Sequence, residues 1–239
     1  MQRLLILKAG TLAPYSEVFT RRYGDTEDTF ITAAGLTPDQ VEVVDIYLDQ
    51  PLPEPGRHAG VLVTGAAAMV TEEAPWMLRS AAWLREVAAL GQPLLGVCFG
   101  HQLLAHALGG EVGPNPAGLE TGSLPITLRA PGDDPLFGEI PDGSCFQEHH
   151  YQTVLTPPPG SVALGYSPMD AHQVLRHGPR AWGVQFHPEL SAGMMRLLLE
   201  GMREEHAALG IDPDQLDETI ADTPEGPALL RRFMALSGI

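Results

Sequence analysis

The chain has 239 residues, 44% of them hydrophobic, which is enough for one large α/β domain with a substantial core. A formal charge of −16 and a pI near 4.8 argue against nucleic acid and anionic membranes as partners, because both are polyanions that would be repelled. Two cysteines, Cys98 and Cys145, are too few for a disulfide framework.

The stretch from Met1 to Lys8 has too short an apolar part for a signal peptide, and no apolar run approaches the roughly 18 residues of a membrane span, so a cytoplasmic location is expected. Leu4 to Lys8 reads as a buried first strand that ends at Ala9-Gly10. Lys8 is the only lysine, which reads as coding bias. Tyr15 to Arg22 and Thr26 to Ala34 are expected helices, the second closed by Gly35, and Val41 to Ile46 is a second strand. A proline-rich loop, Pro51 to Gly56, leads to a third strand at Gly60 to Gly65, and a helix follows at Trp76 to Leu90. Alternating strands and helices predict a doubly wound, mostly parallel sheet flanked by helices, with sites at the carboxyl ends of the strands.

The next stretch, Pro93 to Ala105, is the most informative. An apolar strand runs into Gly96-Val97-Cys98-Phe99-Gly100, and a helical pattern carrying Leu103, Leu104, Ala107 and Leu108 begins at once. This is a nucleophile elbow written with sulfur. The glycines are expected to permit the sharp turn, and the first-turn amides of the new helix favour a thiolate.

After Gly109-Gly110 come shorter segments, expected as partly antiparallel strands that extend the sheet or cover an edge: Glu111-Val112, Leu124 to Leu128, Val162 to Tyr166, His172 to Leu175 and Ala181 to Val184. Helices are expected at Ser191 to His206, Pro213 to Ala221 and Pro227 to Leu236. Residues 1–206 read as one domain and 207–239 as its helical C-terminal extension.

A thiolate needs a base, and the base needs an orienting partner. Trp182 to Glu189 ends in His187-Pro188-Glu189, and on an extended chain His187 and Glu189 project to the same side. Cys98, His187 and Glu189 therefore make a complete nucleophile, base and orienter. Glu148-His149-His150 has the composition of a metal cluster, but neighbours on a strand face opposite ways and no third ligand is evident, so no metal is assigned.

Gly96 to Gln102 together with Gly183 to Glu189 resembles the signature pair of the class I glutamine amidotransferases, over roughly Leu4 to Leu199. The resemblance implies a flavodoxin-like three-layer fold, no cofactor, and hydrolysis of a small-molecule γ-glutamyl amide through a thioester on Cys98. One oxyanion donor would be the Phe99 N–H and the second would lie at Gly65 or Ala66. Ala67 stands where the family usually has proline. Gln102, His150 and Gln152 match substrate-contacting positions, with Gln152 in place of the family's aspartate.

The Tyr23 to Phe30 segment resembles stand-alone guanosine monophosphate synthase-like members, some of which are γ-glutamyl peptidases. The chain has no nucleotide-binding loop of its own, so ammonia from glutamine would pass to a synthase partner. Three readings follow: a glutaminase, a γ-glutamyl peptidase, and a weakly active glutamine-sensing or complex-forming subunit that depends on such a partner.

Overall fold

The computed structural model describes residues 2–13, 16–129 and 132–239. Its first half alternates as expected: β1 (Leu4–Lys8), α1 (Glu17–Tyr23), α2 (Thr26–Ala34), β2 (Val41–Asp45), β3 (Gly60–Val63), α3 (Pro75–Ala89), β4 (Leu94–Val97) and α4 (Phe99–Ala107). Tyr15, where the first helix was expected to begin, lies outside the described residues. The Ser16 side chain accepts from the Phe19 N–H and caps α1, which therefore starts at Glu17.

The second half contains β5 (Glu111–Pro114), β6 (Glu120–Pro125), β7 (Thr127–Leu128), β8 (Cys145–His150), β9 (Gln152–Thr156), β10 (Val162–Tyr166), β11 (Val174–Arg176), β12 (Ala181–Val184), α5 (Ala192–Gly201), α6 (Arg203–Ala208), α7 (Pro213–Thr219) and α8 (Glu225–Ser237). Several expected boundaries move. Leu124 to Leu128 divides at Ile126, whose N–H donates outside both strands to Ser144 O. The expected long helix from Ser191 breaks at Met202, with φ −112°, just after Gly201. Strands β8 and β9 are additions to the expected set.

Eight strands form one sheet in the order β2-β1-β3-β4-β12-β11-β10-β7. The first five are parallel and the last three join antiparallel. This is the mostly parallel α/β sheet expected. Alternate residues of β1 feed opposite faces: Leu4 and Ile6 meet Phe30 of α2 and Leu229, Leu230 and Phe233 of α8, whereas Leu5 and Leu7 meet Leu84 of α3 and Leu103 of α4. Each such fully buried side chain contributes about 1.5–3 kcal/mol relative to exposure. Among the described residues, no helix is long and apolar enough to cross a membrane.

The register aligns Val63 with Gly96, Gly96 with Gly183, and Val97 with Val184. The chain therefore leaves β3, β4 and β12 at one level of one edge, bringing Gly65, Cys98 and the segment after Val184 together. Two ribbons, β5–β9 and β6–β8, stand over this edge, and the His187 N–H donates to Gln147 O of β8 at 2.8 Å.

Candidate active site

Cys98 has φ 51° and ψ −107°, in the left-handed half of conformational space that a non-glycine residue enters at a cost of about 1–3 kcal/mol. Its N–H donates to Val184 O at 2.8 Å and its carbonyl accepts from the Gln102 N–H at 3.1 Å, which fixes the elbow at both ends. The flanking glycines do a different job from the one expected, because neither has a positive φ. A Cβ on Gly96 would lie 2.4 Å from Gly100 O, and one on Gly100 would lie 2.4 Å from Val63 O. They let α4 press onto β3 and β4, while the turn's strain falls on the cysteine. Backbone cannot yield as a flexible side chain would, so Gly100→Ala should cost about 1–3 kcal/mol, read as a lower urea midpoint at unchanged slope.

Beyond Val184 the chain bends at Gln185-Phe186 and turns at Pro188-Glu189 instead of staying extended. The turn still places His187 Nδ1 2.7 Å from Glu189 Oε1, and their side chains are only 15% and 4% exposed. Burial alone would lower the His187 pKa, but the Glu189 carboxylate and the Cys98 sulfur more than offset it and hold the imidazole well above its ordinary value. His149 goes the other way, pushed down to about 3 by burial and by the neighbouring His206 and His187. Burial also holds His101 well below its ordinary range. Of these three, only His187 is shifted towards its protonated form.

Gly65 marks where the parts meet. A Cβ there would lie 2.9 Å from His187 Cε1 and 3.6 Å from Cys98 Cβ. The Thr64 hydroxyl accepts from the Ala9 N–H at 3.0 Å and donates to Gly65 O at 2.9 Å. With that carbonyl fixed, a planar trans peptide points the Ala66 N–H the opposite way. Phe99 opens α4, so its amide has no acceptor within the helix.

Gln102 Nε2 donates to Gln152 O at 2.7 Å and to Gln185 Oε1 at 3.0 Å, leaving its carbonyl oxygen as the group free for a ligand. Gln152 Nε2 donates to the Thr71 hydroxyl at 2.6 Å, while its Oε1 is buried without a partner. His150 Nδ1 lies 2.9 Å from Gln152 O, and its Nε2 lies 3.0 Å from Glu120 Oε2 and 3.5 Å from Glu148 Oε2. Both ring nitrogens are thus engaged by the chain's own polar groups.

The sequence offered no third ligand beside Glu148 and His150, and here the structure differs: Glu120, His150 and Asp170 bring ligand atoms within 4.8 Å of one another. Glu120 Oε2 lies against His150 Nε2 and accepts from Gln173 Nε2 at 2.9 Å, and Asp170 accepts from the Thr153 hydroxyl at 2.6 Å and the His172 N–H at 2.7 Å. Each of the three is thus held by hydrogen bonds from the surrounding chain, and together they form a buried polar knot.

Glu148 is the exception in this knot, since neither of its buried oxygens has a hydrogen-bond partner. Burial first, and then the Glu120 charge, pushes its carboxyl well above the ordinary 4.5. Below about pH 4.5 the carboxyl is neutral in folded and unfolded chains alike; between there and the raised folded pKa only the unfolded chain releases the proton, so stability falls as pH rises through that interval. Glu148→Gln should therefore match the wild type near pH 4 and become progressively more stable than it towards pH 8, as read from urea midpoints.

A cavity of about 330 Å³ opens over Cys98, Gln102 and His187, and Gly65 to Met69, Gln152 and Glu189 also line it. Its outer wall includes Thr11 and Leu12, which Asp25 holds by accepting from the Thr11 hydroxyl and the Leu12 N–H, each at 2.7 Å. Asp25 is in turn paired with the buried Lys8 ammonium at 2.6 Å, which gives the lone lysine a structural role. Thr71 and Glu120 had no sequence signal, and each acts through a contact distant in the chain.

The model of the family described as glutamine amidotransferase class-I matches residues 36–200. A glutamine-hydrolyzing GMP synthase of Synechococcus sp. (strain CC9311) is 29% identical over 246 residues, covering 98% of this chain and 42% of that protein. Gamma-glutamyl peptidase 5 of Arabidopsis thaliana is 26% identical over 185 residues, covering 74% of this chain and 73% of the peptidase. The crystal structure of a glutamine amidotransferase from Thermotoga maritima superposes with a TM-score of 0.77 at 21% identity, covering 99% of this chain and 98% of that one.

Proposed function

The chain belongs to the class I glutamine amidotransferase family, and from that premise we propose that it hydrolyses the γ-amide of glutamine or of a γ-glutamyl conjugate through a thioester on Cys98. The observation that carries the proposal is the meeting at Gly65 of a strained, fixed cysteine and an imidazole held protonated by a buried carboxylate. Cys98 sulfur attacks the amide carbon, and the oxygen takes up negative charge between the Phe99 and Ala66 N–H groups. As the C–N bond breaks, His187 gives its proton to the leaving nitrogen. A water then gives a proton to His187 and attacks the thioester, and glutamate departs as the sulfur is released. Glu189 keeps the imidazole oriented throughout, and Gln102 Oε1 is placed to accept from the substrate ammonium.

One observation favours turnover by the chain alone over a sensing subunit that waits for a synthase: the Thr64 hydroxyl orients the 65–66 peptide from within the chain, despite Ala67 in place of proline. The chain spans 42% of the length of the GMP synthase it matches and its match covers 73% of the peptidase. The last helix α8 packs into the main core, which supports reading residues 207–239 as part of the same domain.

The test is intact-mass spectrometry after incubation with the glutamine-like electrophile 6-diazo-5-oxonorleucine. Cys98 and Cys145 are both free thiols, so a single adduct that disappears in Cys98→Ala assigns the nucleophile. Absence of an adduct, or labelling of Cys145 alone, overturns the proposal.

A further inference from the structure

The cavity over Cys98 is larger than the reacting amide needs. Its volume of about 330 Å³ falls within the range of about 300–1,000 Å³ typical of pockets for drug-sized ligands. Away from the polar groups around the sulfur, the wall is formed by Leu12, Leu190, Met195, Leu198 and Met202, beside Tyr151, whose hydroxyl donates to Glu205. Leu190 and Met195 are buried in a small core with Phe19 of α1 and Leu216 of α7, so this wall is fixed by packing. It also continues the segment that carries His187, with Leu190 three residues on. In the proposed chemistry His187 protonates the departing nitrogen, so whatever that nitrogen carries emerges beside this wall.

Charge narrows the choice. Neither lysine nor arginine occurs among the described lining residues, whereas Glu189 and Glu205 do. The glutamyl end of a substrate brings one ammonium and one carboxylate, which balance. A γ-glutamyl dipeptide would add a second carboxylate with no cation to meet it, in a chain of net charge −16. Ammonia as leaving group would leave the apolar wall unused.

We infer, resting on the hydrolase reading above, that the acyl donor is a γ-glutamyl amide of an apolar primary amine, with the amine's alkyl or arylalkyl group seated against Leu190, Met195, Leu198 and Met202. The bonds exchanged are those of the proposed reaction: C–S forms, C–N breaks, the amine leaves with the His187 proton, and water completes the cycle to glutamate.

The experiment measures glutamate release from γ-glutamylbenzylamide, glutamine and γ-glutamylglycine, whose leaving amines have similar basicity. Diazo-oxonorleucine labelling of Cys98 runs in parallel. The benzylamide should exceed both others in kcat/KM by at least about tenfold, a modest demand for an apolar group in an apolar pocket. Leu198→Arg, which adds a cation to the wall, should shift the preference from the benzylamide towards γ-glutamylglycine by about tenfold or more. If Cys98 labels but the benzylamide is no better than glutamine, the inference fails and the hydrolase reading stands. An unchanged preference in folded, labelled Leu198→Arg also overturns the inference. No labelling and no hydrolysis of any donor would remove the hydrolase reading itself.

Discussion

Cys98→Ala should lower turnover by about 10⁴-fold or more, the scale on which loss of a nucleophile acts when the rest of a site is left in place. Folding should change little, because the elbow is secured by hydrogen bonds of the Cys98 backbone and by contacts at Gly96 and Gly100, none of which involves sulfur. Glu189→Ala should cost less, about 10²–10³-fold, since Glu189 orients the base without transferring a proton. The lost carboxylate also removes the first of the charges that raise the His187 pKa, so the variant should lose activity at lower pH on the alkaline side than the wild type does. Steady-state rates over a pH series, with urea midpoints as the control for folding, check both. Equal losses in two well-folded variants would show that the roles are misassigned.

The parts legible in the sequence are those made by local pattern. The strand and helix alternation up to α4 follows hydrophobic period and glycine stops, and Cys98 announces itself because a strand, two glycines and a helix start are adjacent in the chain. The pairing of His187 with Glu189 is local too, although a turn makes it and not the extended strand that was expected. Illegible parts depend on which strand lies beside which. β8 and β9 carry polar residues such as Gln147, Glu148, His150 and Gln152 at buried positions, so no apolar alternation marks them; they are buried because β6, β5 and the β12 segment supply partners from elsewhere in the chain. The role of Gly100 was equally hidden. A positive φ is a property of one residue, but an approach to Val63 O belongs to the fold.

Gly65→Ala should lower kcat by about 10²-fold or more with little change in KM, the expected cost of displacing a reacting group by about 1 Å. The added Cβ would fall 2.9 Å from His187 Cε1, closer than real contacts allow, and 3.6 Å from Cys98 Cβ, an ordinary contact. The imidazole is therefore the group that must move. It cannot move freely, because Nδ1 is bonded to Glu189 and the His187 backbone N–H, which donates to Gln147 O, pins the residue. A shift that keeps the Glu189 bond tilts the ring relative to the sulfur, and a shift that keeps the ring's aim breaks the bond that charges it. In either case proton transfer suffers while the groups around Gln102 are untouched, which is why kcat and not KM should respond. Labelling of Cys98 by diazo-oxonorleucine should slow in step with kcat. A variant that turned over normally would mean that His187 does not stand where the strand ends converge.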